Sequence, residues 1–271
     1  IDPAGDSPVA GLKGIFAAGR QGITVENIQV TGANCGICLE GARGIVISNV
    51  VARGNGDMGI LLIGSSGSVI RQSASRGNVN AGISIRDGST GIDVLGNELE
   101  SNGTGLSLSS GIVANVQNNR MSGNSRGVEI GANSSARIIQ NDILGNTLGV
   151  KIVSSLQSTI TKNNISGNAT NWQNSGGAKQ VAFRNWWGSS DEGVISTGFG
   201  DPASEFFPYR VGPVDIRAGA DTEAPVPPRN VVIDTSVIGE ITFSWDAPTG
   251  DENGDSLSGL KGYRIYRSKT P

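Results

Sequence analysis

Histidine is absent from all 271 residues. Its absence removes Ser-His-Asp and Cys-His catalysis, imidazole acid–base work and His-liganded metal sites. Charge is scarce as well: Asp, Glu, Lys and Arg make up 17% of the chain. Twenty-one basic residues against 24 acidic ones leave a formal charge of -3. With no basic excess to neutralise a phosphate backbone, the balance argues against nucleic acid as a partner. No stretch approaches 18 consecutive apolar residues, so no segment reads as a membrane span. No apolar run holds the 3.6-residue helical period for ten residues. There is no initiating Met and no signal-peptide pattern, and the opening at Ile1 reads as a processed or cropped piece.

What the chain has in excess is glycine, 41 residues, roughly twice the usual share. The glycines are not scattered. A glycine followed by apolar-x-apolar recurs at Gly14, Gly36, Gly59, Gly82, Gly105, Gly127 and Gly149, in steps of 22, 23, 23, 23, 22 and 22. Two further steps of 22 reach Asn171-Trp172 and Gly193-Val194. Other columns keep the same beat: Asn97, Asn119, Asn141, Asn163 and Asn185 lie eight residues before the marker position, and Asn102, Asn124, Asn146 and Asn168 three before it. Apolar residues two apart are the strand period. A unit of two or three such short strands cannot bury its own apolar face, but copies stacked at about 4.8 Å share one core. The pattern predicts an all-β parallel β-helix solenoid of about nine 22–23-residue coils over residues 1–220, cap included. Ile15, Ile37, Ile60, Ile83, Leu106, Val128, Val150 and Trp172 should stack in one interior column, and Ala17, Leu39, Leu62, Ile85, Leu108, Ile130 and Ile152 in its neighbour.

The column Asn97, Asn119, Asn141, Asn163 and Asn185 reads as a structural ladder. Asn tolerates the left-handed backbone that tight corners demand, and a stacked amide can bond the amides above and below it. A binding site does not need five identical copies.

The Asn-x-x-Gly-Ile-x-Leu phrase, repeated at this spacing, resembles the right-handed β-helix proteins of the pectate-lyase-like superfamily. Arg184-Asn185-Trp186-Trp187-Gly188 is similar to the endings of many secreted or surface β-helix proteins. The resemblance covers about residues 14–200. It implies the right-handed fold and, by association, acidic polysaccharides; the superfamily hosts lyases, hydrolases, epimerases, adhesins and phage spikes. The Asp-Pro-His phrase of its epimerases and the Gly-His-Gly phrase of its hydrolases cannot occur without histidine. Scattered outward charges, Asp57, Arg71, Arg86, Asp87 and Asp93, do not form the dense Asp cluster of a calcium-dependent lyase. The longer corners at 53–57 and 76–80 are where a site would lie, against the plainer reading of solvated corners. No catalytic, metal or cofactor site is assigned.

Beyond the coils, Phe206, Phe207, Pro208 and Tyr209 suit a plug over the last one, since a solenoid end exposes strand edges and core. Residues 221–228 read as a semi-stiff linker. Three strand-like runs follow: 231–233, 241–245 and 262–267. Their Ser-Trp-Asp-Ala-Pro and Gly-Tyr-Arg-Ile-Tyr-Arg phrases resemble the start of a fibronectin type III domain, with Trp245 as its core tryptophan. Residues 221–271 are therefore expected to be linker and part of such a sandwich, which needs about seven strands.

Cys35 and Cys38 form a lone Cys-x-x-Cys. Zinc wants four ligands and no other Cys or His exists, which argues against zinc. Position 38 alternates with inward Ile37 and Leu39 and should point outward, and a bond to Cys35 needs the corner at Gly36 to fold back. A disulfide and two separate thiols both remain open. Phe16, Cys38 and Leu61 share an outward column whose remaining members are polar, so they are expected to form an apolar interaction stripe.

These features favour an extracellular or cell-surface structural and adhesive protein, a rigid rod and interaction scaffold. Its expected partners are other chains of an assembly, copies of itself or a surface polysaccharide. The alternative is a secreted enzyme that binds or cleaves polysaccharide.

Overall fold

The computed structural model describes residues 11–178, 180, 182–200, 206, 209–210, 212–217, 228–234 and 241–250. The chain divides into two compact units, Ile1–Ala220 and Asp221–Pro271. The first is a right-handed parallel β-helix of seven complete turns, each contributing one strand to each of three parallel sheets. The first sheet runs from Lys13–Ala18 through Cys35–Glu40 and Met58–Ile63 to Thr170–Asn174, eight strands in all. The second begins at Thr24–Glu26 and ends at Thr159–Thr161; the third runs from Gln29–Thr31 to Asn164–Ser166.

Register follows the 22–23-residue beat. Ile15 pairs with Ile37, Ile37 with Ile60, Ile60 with Ile83, Ile83 with Leu106, and so on through Val128 and Val150 to Trp172. The neighbouring column from Ala17 through Leu39 to Ile152 stacks the same way. From Ile37 and Leu39 onward both columns are buried in one continuous core.

The expected count of nine coils is too high. The eighth turn supplies a strand to the first sheet only. The ninth step, at Gly193-Val194, falls in an α-helix over Glu192–Thr197, whose N-cap Asp191 accepts a hydrogen bond from Val194 N–H. The helix belongs to the closure of the core end. Trp172, the last residue of the interior column, meets Trp187 edge-on at 6.2 Å, and Phe199 sits 4.7 Å from Trp187 and 4.9 Å from Phe206. Phe206 in turn lies 6.3 Å from Tyr209. The expected plug residues Phe207 and Pro208 lie outside the described residues. Past the closure the chain runs back along the coils: Arg210 N–H bonds the Asn185 carbonyl, Val214 exchanges two hydrogen bonds with the Asn164 amide, and the Ile216 carbonyl accepts from Asn118.

Two amide ladders run inside the corners. In the first, each Oδ1 accepts both the backbone N–H and the Nδ2 of the Asn one coil earlier, from Asn97 to Asn119, Asn141, Asn163 and Asn185, all at 2.9–3.0 Å. The left-handed backbone expected of these residues belongs instead to the residue before each: Gly96, Asn118, Gln140, Lys162 and Arg184 have φ between 56° and 63°. The work is divided, one residue making the bend and the next supplying the buried amide. The second ladder joins Asn102, Asn124, Asn146 and Asn168 and begins earlier, at Asn55 and Asn78. Those two asparagines lie in the corners read as solvated, yet both are buried. One extra residue in each corner moves them to four before the repeat glycine, which hid them from the column.

The repeat glycines are explained by this second ladder. They are not in the left-handed region. A Cβ on Gly105 would sit 2.6 Å from the Gly127 carbonyl oxygen and 3.1 Å from Asn124 Nδ2.

In the second unit, Arg229–Asp234 pairs antiparallel with Thr242–Asp246, which carries Trp245. The expected third run, 262–267, lies outside the described residues. Two strands fall short of a fibronectin type III domain, and that likeness remains one of sequence.

Two substitutions test the ladders by urea unfolding. Asn119→Ala orphans the buried N–H of Asn97, leaves its Nδ2 only the Ile70 carbonyl, and should cost about 3 kcal/mol. Gly105→Ala overpacks the coil interface and should cost about 1–3 kcal/mol.

Candidate functional site

The outward face of the first sheet carries the densest feature outside the core. On the second turn Cys35 opens its strand and Cys38 lies three residues on; a disulfide joins them across a Cα–Cα distance of 6.2 Å. On the third turn Met58 opens its strand and Leu61 pairs with Cys38. Cys35, Cys38 and Leu61 form a small apolar cluster of their own, separate from the interior core, with Met58 and Ile63 packed against it.

This arrangement corrects the expected stripe of Phe16, Cys38 and Leu61. Phe16 is 49% exposed, but Cys38 is fully buried and Leu61 nearly so. The side chains of Cys35, Met58 and Ile63 close over them. Phe16 is itself covered on one side by the Lys13 ammonium, 3.6 Å from its ring centroid, and Lys13 also pairs with Glu40 at 2.9 Å. Lys13 is the register partner of Cys35 on the first turn. Further along the same column Lys151 bonds Glu129 at 3.0 Å on the adjacent coil.

The second sheet presents a polar stack. Asp93, Asn115 and Arg137 occupy one register position on three successive coils. Asn115 Nδ2 donates to Asp93 Oδ1 at 3.2 Å, and Arg137 donates to Asn115 Oδ1 at 3.3 Å. Beside them lies a shallow depression of about 380 Å³, walled by Gly91, Val113, Gln157 and Thr159. A second depression, about 540 Å³, runs beside the first sheet past Met58, Asn80, Thr104, Arg126 and Leu148.

The other charged residues singled out by sequence do not converge. Asp57 accepts from Asn80 at 2.6 Å, Arg86 lies 3.6 Å from its neighbour Asp87, and Arg71 is exposed on the second sheet. Among the described residues no three of His, Cys, Asp and Glu are grouped to hold a metal ion. Among the described residues, Asp215 is held below the usual carboxyl range by its side-chain hydrogen bond to the Arg217 guanidinium. No helix among the described residues is long and apolar enough to cross a membrane.

Comparison with known proteins adds a family and a fold. A family model described as "Periplasmic copper-binding protein (NosD)" matches residues 9–198. No curated protein matches the chain. Among solved structures, the chain is similar to the A-module of Azotobacter vinelandii mannuronan C-5 epimerase AlgE6, at 20% identity and a TM-score of 0.52, over 61% of this chain and 51% of that one. It is also similar to the AlgE4 A-module, at 20% identity and a TM-score of 0.48, over 60% and 46% of the two chains. Pectate lyase Pel9A matches at 15% identity and a TM-score of 0.57, over 94% of this chain and 72% of that one. The chain thus spans about half the length of the epimerase modules. These likenesses are likenesses of fold.

The Cys35–Cys38 loop is short, so its closure should contribute at most about 2 kcal/mol. Reduction is therefore expected to leave the circular dichroism spectrum intact at room temperature and to lower the urea midpoint slightly.

Proposed function

The chain belongs to the family described as periplasmic copper-binding protein (NosD), and from that membership we propose that it is a non-catalytic, rigid interaction scaffold working outside the cytoplasm. The observation that supports this reading is the coil-to-coil pairing of all three sheets through seven turns, with two amide ladders along it. Ordered polar groups are spent on stiffness. Asp93, Asn115 and Arg137 bond one another along the stack, and Lys151 bonds Glu129, so these outward groups are committed to neighbouring coils. The surface that results suits docking of an extended partner: another chain of an assembly, a further copy or a surface polysaccharide. The unit from 221 to 271 then serves as a spacer or docking module, on the sequence likeness to a fibronectin domain. A disulfide accords with an oxidising compartment.

Copper needs a soft or imidazole donor set. The oxidised chain does not offer one: histidine is absent, both cysteines are tied in the disulfide, and Met121 is buried in the core. The scaffold reading assigns the oxidised chain no copper chemistry.

A second reading, polysaccharide binding or cleavage, is favoured by the depression beside Asp93, Asn115 and Arg137, where hydroxyl-bonding groups repeat from coil to coil. Incubation with polygalacturonate and alginate in the presence of calcium separates the readings. The scaffold should release no unsaturated product absorbing in the ultraviolet. Release of such product, lost in Asp93→Asn or Arg137→Ala, replaces the scaffold reading with the enzymatic one.

A further inference from the structure

We propose that the groove beside the first sheet docks an extended peptide segment of another protein, one that carries two aliphatic side chains six residues apart and a carboxylate between them. The inference rests on the scaffold reading and names the kind of partner that reading leaves open.

Five side chains set the floor and ends of the groove: Met58, Ala81, Thr104, Arg126 and Leu148. They are register partners on five successive coils, so the sheet fixes their order and spacing. At about 4.8 Å per coil the row is about 19 Å long, parallel to the solenoid axis. Half-buried aliphatic side chains, Met58 and Leu148, stand at its two ends. Between them Ala81 and Thr104 are 2% and 6% exposed, a floor sunk among bulkier neighbours. The volume, about 540 Å³, is that of a ligand cleft.

Two observations say what suits that floor. The first is an unpaired hydroxyl. Thr104 is buried, yet among the described residues its hydroxyl has no hydrogen-bond partner, and neither has that of Ser107 beside it. A buried hydroxyl left unpaired costs free energy, and a peptide N–H or C=O laid over it relieves that cost. The second is charge. Arg126 is the one charged side chain among the described residues that line the groove. Glu129 is shared between Arg126 at 3.4 Å and Lys151 at 3.0 Å, so two cations divide one carboxylate. This end of the groove therefore favours an acid.

A peptide matches both the chemistry and the spacing. An extended chain advances about 3.4 Å per residue and turns every second side chain to the same face. Aliphatic residues at peptide positions one and seven lie about 20 Å apart and reach Met58 and Leu148 together. A carboxylate at position five lies about 14 Å from the first anchor, the distance of three coils, and meets Arg126. In the opposite chain direction the same carboxylate sits at position three. A polysaccharide offers hydroxyls to Thr104 but no aliphatic side chain to either end.

The test titrates the full chain into fluorescein-labelled heptapeptides and reads polarisation. The probes have leucine at both ends, serine and threonine elsewhere, and one glutamate at position five, three or four. The expected result is saturable one-to-one binding by the position-five or the position-three peptide. The position-four peptide, whose acid faces away, should bind roughly tenfold more weakly, as should the better peptide with glutamine for glutamate. Arg126→Ala should weaken binding roughly tenfold, Thr104→Val roughly fivefold, and Met58→Ala or Leu148→Ala roughly tenfold each. Arg71→Ala, on the second sheet, should leave it unchanged. Circular dichroism checks each variant, and should any fail to fold, the peptide series alone carries the test. No saturable binding by any peptide overturns the proposal. So does equal affinity for the position-four or glutamine peptide, or parent affinity in folded Arg126→Ala. Alginate or polygalacturonate that binds where the peptides do not, and is lost in Thr104→Val and Arg126→Ala, overturns it in favour of a sugar ligand. The ultraviolet assay for polysaccharide cleavage is read independently, so the groove and the scaffold reading fail or survive separately.

Discussion

Each coil of this solenoid has corner amides that face inward, where water cannot reach them. An unpaired buried N–H costs as much as several good contacts provide. The chain meets this constraint by letting one Oδ1 accept two hydrogen bonds, backbone and side chain, from the coil before. Most of the architecture follows. A side-chain oxygen must recur at nearly constant spacing, asparagine in most coils and Ser73 in the one before Asn97, because a missing rung orphans its neighbour. The backbone beside the second ladder must come within about a Cβ's reach of it, so glycine occupies that place. Corners stay short, because a long excursion would break the rung-to-rung contact.

The same constraint decides what could be read from the sequence. Interior columns such as Ile60, Ile83 and Leu106 were legible because each position repeats a single requirement, fill the core between two neighbours. The ladder asparagines were legible as a column but not in their role. Bending and pairing are served by adjacent residues, and a preference for asparagine does not say which of the two it reflects. Asn55 and Asn78 escaped because a single inserted residue shifts the column without disturbing the rung. The Gly193 step, in contrast, kept the beat while the chain had already left the sheets; its glycine lies in a helix. Spacing records an arrangement only as long as the next coil enforces it.

The cysteine cluster was the least legible part. Alternation along Cys35–Glu40 correctly puts Cys38 on the opposite side from Ile37, yet outward from the core is not the same as exposed. What covers Cys38 is Cys35 on its own strand together with Leu61, Met58 and Ile63 on the next coil. The family description names a metal for which the oxidised chain has no suitable donor set, because both cysteines are tied in the disulfide.

The segment that turns back after the closure, from Arg210 to Ile216, ties the coils bearing Asn185, Asn164 and Asn118 to one stretch of backbone. Tension applied to the chain beyond residue 217 therefore enters at the fifth turn, well inside the stack. It is carried as shear across several rungs at once, and the last coil is shielded from being peeled away first.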